Sequence, residues 1–141
     1  MTIHGLNFVG VLIATLVSFI SGGIWFGPKT FYPIWMKLRG NESGRLDENH
    51  NPAILFGSTI IAIAIQTLTL GVIINSLQHH NSNIGIVGGA GIGLALGLGI
   101  GAFASLSHRL FGGESFKVWI IETANDVINM TLAGAIIAFF N

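Results

Sequence analysis

Apolar residues along this chain gather in four long runs, Leu6 to Phe26, Ala53 to Leu77, Ile84 to Leu106 and Phe116 to Phe140, separated by short polar connections. A helix rising about 1.5 Å per residue needs about 20 residues to cross a hydrocarbon core of about 30 Å, and each run meets that length. The pattern predicts an all-α, polytopic integral membrane protein. Residues 1–141 read as a single membrane domain with spans near 6–26, 53–77, 84–106 and 116–140, packed as an antiparallel four-helix bundle with the lipid bilayer as principal partner.

The connections punctuate this reading. Pro28 breaks the first run after Trp25-Phe26-Gly27. In the next ten residues Tyr32 and Trp35 alternate with Lys29 and Lys37, a mixture suited to the headgroup layer, so Trp25, Tyr32 and Trp35 are expected to be interfacial anchors. A docking surface for lipid or a partner is the other reading of that piece. Arg39 to Pro52 carries mixed charge and turn formers and reads as a solvated loop within a cytoplasmic connection over 27–52, with Pro52 placed to start a helix. Phe26 to Phe31 and Phe111 to Phe116 echo one another in three identities and a Thr/Ser exchange. Such an echo fits two parallel-related hairpins, and equally fits chance.

Composition narrows the class. Of 141 residues 51% are hydrophobic and 9% charged, against about 25% charged in soluble domains, and mean hydropathy is +0.73. There is no cysteine, which excludes disulfides and thiolate metal sites. Nucleic acid is not an expected partner, and no cofactor or metal is indicated. His79 and His80, with His4, are read as ordinary exposed residues. No Lys or Arg precedes the first run, so it is expected to be a retained helix rather than a cleaved signal. All six Lys and Arg fall in two places, four between the first and second runs and two, Arg109 and Lys117, around the third connection. The positive-inside rule puts those connections in the cytoplasm and both termini outside, as in a prokaryotic plasma membrane.

In the third run Gly85, Gly89, Gly93, Gly97 and Gly101 recur every fourth residue, and Ser105 continues the series. Small residues so spaced form a groove into which another helix backbone presses closely. The groove serves either packing within the chain or association of copies. Gly97-x-Gly99-x-x-Ala102 imitates a dinucleotide fingerprint, but it has no preceding strand and lies inside a span.

At Trp25-Phe26-Gly27-Pro28, and at Phe31-x-x-x-Trp35-Met36-x-Leu38-x-Gly40, the chain resembles a family of small prokaryotic membrane proteins, domain of unknown function 1761. Leu110-Phe111-x-Gly113, Lys117 and Gly134-Ala135-Ile136 are similar to that family's second corner and last helix. The resemblance implies a four-helix membrane protein and brings no activity, substrate or cofactor. At Glu122 and Asp126 the chain departs from the family's usual pattern, so no role is carried onto that pair.

Candidate chemistry lies in the fourth run, where Glu122, Asn125, Asp126 and Asn129 occupy i, i+3, i+4 and i+7, one face of a helix. Counted from Lys117, Glu122 lies about 8 Å deep, Asp126 about 14 Å and Asn129 about 18 Å. A central acid costs about 2.5 to 3.5 kcal/mol to insert, whereas each Ile, Leu or Phe returns about 0.3 to 0.6. The stripe therefore requires covering partners. Apart from Lys117 at the very start of the fourth, no Lys or Arg lies within the four runs, which leaves His108, Gln66, Ser18, Ser21, Thr15 or a bound cation as expected neighbours at depth. Two functions compete. In one, the acid pair shares a proton or holds a cation in an oligomeric translocating subunit, with Asn125, Asn129 and His108 assisting. In the other, the polar and glycine faces are interhelical glue in an accessory protein, self-associated or part of a larger membrane complex. An enzyme is not expected, because the connections are too short to build a pocket.

Overall fold

The structure, a computed structural model, describes residues 4–40, 51–80 and 84–141. The tip of the loop at 41–50, read above as solvated, lies outside the described residues, as does 81–83. Every regular element among the described residues is helical. Four of the helices are long and apolar enough to cross a membrane: Phe8–Trp25, Pro52–His80, Ile86–Phe111 and Phe116–Phe140.

The first span is α1 (Phe8–Trp25), whose N-terminus is capped by Asn7: Oδ1 accepts from the backbone N–H of Val9 at 3.0 Å. Its other end stops at the Gly27-Pro28 corner, where the Thr30 hydroxyl donates to the freed Trp25 carbonyl at 2.7 Å. After this corner comes α2 (Tyr32–Leu38), seven residues long, and then the second span, α3 (Pro52–His80). The third span is compound. It runs as α4 (Ile86–Leu96), a π-helical turn at Gly97–Ala102, and α5 (Phe103–Phe111). A turn at Gly113, where φ is +83°, leads into the fourth span, α6 (Phe116–Phe140), capped by the Ser115 hydroxyl.

α6 is the hub of the bundle and packs against α1, α3 and α4. Its contact with α4 is the closest. A Cβ added at Gly89 would overlap the Gly134 carbonyl oxygen, one at Gly93 the Met130 carbonyl oxygen, and one at Gly97 would come within 3.2 Å of Val127 Cα. Backbone-to-backbone approach of this kind replaces the hydrophobic drive that lipid does not supply. Gly89, Gly93 and Gly97 therefore pack within the chain. Gly85 has nothing within 4 Å, and Gly101 meets only its own helix at Leu96. The groove ends at Gly97 because the π turn shifts the phase, so that Ala102, 2% exposed, takes the inward place the fourfold series gave to Gly101.

The buried core is lopsided. Val11, Ala14, Leu70, Ile74, Ala133 and Ile137 all lie in the half of the bundle nearest the two described chain ends. Amides tie off that end: Asn7 N–H donates to Asn141 Oδ1 at 2.8 Å, Asn7 Nδ2 to the Phe140 carbonyl at 2.9 Å, and Asn141 Nδ2 to Gln78 Oε1 at 3.2 Å. Midway, the Thr15 and Thr67 hydroxyls meet at 2.7 Å. Below Thr67, no residue of α3 from Pro52 to Gln66 is buried. The second span is thus buried through one half and at most half-buried through the other.

Candidate functional site

The acidic stripe divides into two unlike parts. Glu122 belongs to a belt of polar and aromatic groups at the end of the bundle that holds α2 and the α5–α6 corner. Its Oε1 accepts from the Trp35 indole N–H at 2.8 Å, and its Oε2 pairs with Arg109. Trp35 is covered in turn by the Arg39 guanidinium, 4.9 Å from the ring centroid, and Arg39 bonds Glu114 Oε1 at 3.0 Å. Two cations and two carboxylates so placed cancel one another.

This belt corrects the expectation that no cation of the same chain could meet a stripe acid. The third span continues as a helix to Phe111, five residues past the predicted end at 106, and α5 carries Arg109 up to the side of α6. Anchoring is also more specific than predicted. The Trp25 indole N–H donates to the Ile121 carbonyl at 3.0 Å and Trp35 donates to Glu122, so both rings are fastened to α6 instead of offering their N–H to headgroups. The Tyr32 ring lies tilted against Trp35, 6.0 Å between centroids. Trp119, absent from the sequence-based site, fixes the π turn by donating to the Ala102 carbonyl at 3.1 Å and the Ser105 hydroxyl at 3.2 Å. An indole in mid-pattern beside a glycine-rich span was the available signal.

Asp126 sits one turn deeper and is left out of the belt. No Lys or Arg among the described residues pairs with it, and its near neighbour is the Asn125 side chain. Seven and eleven residues farther on, Ala133 and Ile137 share its face of α6 and pack in the core with Leu70 and Ile74 of α3. At the level of Asp126, no residue of α3 is buried. The Asp126 residue is accordingly exposed on the single chain.

Behind Asp126, Asn125 and Asn129 turn toward α1. Asn129 Nδ2 donates to Asn125 Oδ1 at 3.3 Å, and both amides lie about 4 Å from where a Cβ of Gly22 would stand. His108 is exposed on α5, and no described contact joins it to the stripe. At the other end, His79 Nε2 lies 3.0 Å from the His4 carbonyl and His80 Nδ1 lies 2.9 Å from the Ser76 carbonyl. Among the described residues no three His, Cys, Asp or Glu side chains come together as metal ligands.

No curated protein and no solved structure matches the chain. The family described as protein of unknown function DUF1761 matches over residues 9–138, nearly the whole length. With four membrane-length helices and that match, the chain belongs to the DUF1761 family.

Proposed function

We propose that this protein is a membrane-embedded unit that moves protons or small cations, with Asp126 as the group that takes them up and gives them back. The observation that carries the reading is the inequality of the two acids. Glu122 is neutralised by Arg109 and hydrogen-bonded by Trp35, whereas Asp126 has no paired cation among the described residues and is exposed at a level where α3 buries no residue. A mid-span carboxyl facing a cavity is the usual mark of an ion or proton path.

The packing supports a direction of access. One half of the bundle is closed by the apolar core and the terminal amides, while the half bearing the basic residues is open along α3. With the basic connections in the cytoplasm, Asp126 is reached from the inside in this conformation. Self-association belongs to the same reading: Gly91 and Gly99 face outward from the third span with nothing within 4 Å, and Ala95 is exposed between them. Cross-linking in native membranes is expected to trap dimers or larger assemblies, and Gly91→Leu to reduce them.

Reconstituted in proteoliposomes, the parent chain is expected to dissipate an imposed proton or alkali-cation gradient. Asp126→Asn should reduce the flux to that of empty vesicles, because the exchangeable charge is removed and the shape kept. Glu122→Gln should retain flux. Equal flux from the parent and Asp126→Asn, or none from either, would remove the proposal.

A further inference from the structure

Two oxygens enclosed between α1 and α6 have no hydrogen-bond partner in the protein. They are Ser18 Oγ, on a side chain 2% exposed, and Asn129 Oδ1. Buried polar atoms in native proteins are nearly always paired, and the exceptions commonly face a water or an ion.

The helix register brings the two together. A Cβ at Gly22 would stand 3.9 Å from Asn125 Nδ2 and 4.0 Å from Asn129 Nδ2, so Gly22 marks the level at which α1 crosses these amides. Ser18 lies one turn from Gly22 on α1, toward the end that holds the termini. Asn129 lies one turn from Asn125 on the antiparallel α6, toward the same end. The Asn129 amide nitrogen is committed to Asn125, which leaves its oxygen for a ligand. Asp126, three residues earlier on α6, is a surface neighbour of Asn129, with Cβ atoms about 5–6 Å apart.

The donor set defines the ligand. A hydroxyl, an amide carbonyl and a carboxylate are hard oxygens, and neither sulfur nor imidazole accompanies them, which disfavours transition metals. Charge sets the valence. Glu122 is spent on Arg109, so Asp126 supplies a single negative charge, enough for a monovalent ion and short of what a divalent one needs. Neutral Ser and Asn oxygens bind no proton near neutrality, but they replace the hydration shell of an alkali cation. We infer that Ser18 Oγ, Asn129 Oδ1 and the Asp126 carboxylate form a site for a dehydrated alkali cation at the α1–α6 crossing beside Gly22. This rests on the reading of Asp126 as the transporting group and names its cargo.

Radiolabelled sodium is the probe, applied to the purified full-length chain in mild detergent. The parent should bind it saturably, and its melting temperature should be higher in sodium chloride than in choline chloride of equal concentration. Ser18→Ala and Asn129→Ala should each weaken binding on the order of tenfold or more, and Asp126→Asn should abolish it. Thr69→Ala, whose exposed hydroxyl bonds only its own helix at the Ile65 carbonyl, should bind as the parent does. The thermal comparison needs no variant, so a misfolded Ser18→Ala chain leaves the proposal open to refutation. No saturable binding and no sodium-dependent shift in the parent overturns the site, as does parent-like affinity in both Ser18→Ala and Asn129→Ala. Proton flux that depends on Asp126 without sodium binding overturns the site and keeps the transport reading. Sodium binding without flux of any ion keeps the site and removes transport.

Discussion

A chain carrying Gly93→Leu is expected to lose its bundle. Any Cβ at this position meets the Met130 carbonyl oxygen and the Thr131 Cα, which are backbone atoms of α6 and cannot swing aside as a side chain would. Relief requires α4 and α6 to separate along the whole groove, which also breaks the reciprocal contact of Gly89 with Gly134. Overpacking of a well-filled interior costs about 1–3 kcal/mol and occasionally more, and a backbone obstruction in the closest contact of the fold belongs at the upper end, about 3 kcal/mol or beyond. Gly99→Leu, with open space around it, should stay within about 0.5 kcal/mol of the parent. Unfolding midpoints in a mixed-micelle denaturant titration would measure both. Similar midpoints for the two variants would show that the α4–α6 groove does not hold the bundle together.

The second large effect concerns the belt. Arg109→Gln leaves the Glu122 carboxylate, with its side chain 11% exposed, without its cation. Stranding one partner of a buried ion pair costs about 3–5 kcal/mol. The lower end applies here, about 3 kcal/mol, because the Arg109 side chain is 36% exposed and Trp35 still donates to Oε1. Removing the other charge as well, in Arg109→Gln with Glu122→Gln, should recover most of the loss, since no unpaired ion then remains. A double-mutant cycle read from the same titration isolates the coupling. Simple additivity of the two single changes would mean that the pair does not act as a unit.

Four membrane-length helices were legible because hydropathy reports them directly: a lipid-crossing helix has to be apolar for a fixed length, and four of the described helices are. What hydropathy does not report is helix beyond the lipid. The third span was ended at Leu106 where apolar character gives way to Ser107, His108 and Arg109, yet the helix runs on to Phe111. That extension hid the cation of the Glu122 pair. Nor does the headgroup rule say where an indole N–H goes, which here finds acceptors on α6 for both Trp25 and Trp35. Glu122 and Asp126 could not be told apart on one helical face. Their difference comes in part from α3, whose loss of burial below Thr67 has no signature in a run as apolar as residues 53–66.

The π turn at Gly97–Ala102 has a bearing on how this span tolerates change in length. Each four-residue step on a straight helix advances the phase by about 40°, so the direction set by Gly89 would have drifted about 200° by Arg109. The wider turn absorbs roughly one surplus residue, which turns the lower segment back by about 100° and brings it closer to the α6 side, where Ala102 is buried and Arg109 meets Glu122. Losing a residue from a regular transmembrane helix rotates everything beyond it and scrambles its faces. Here the loss of a single codon, at Gly99 for instance, would only tighten the turn to ordinary α geometry and leave both flanks aimed as they are. The gene thus holds a slack position in the middle of a span, the one place in such a protein where an in-frame deletion would normally be lethal to the fold.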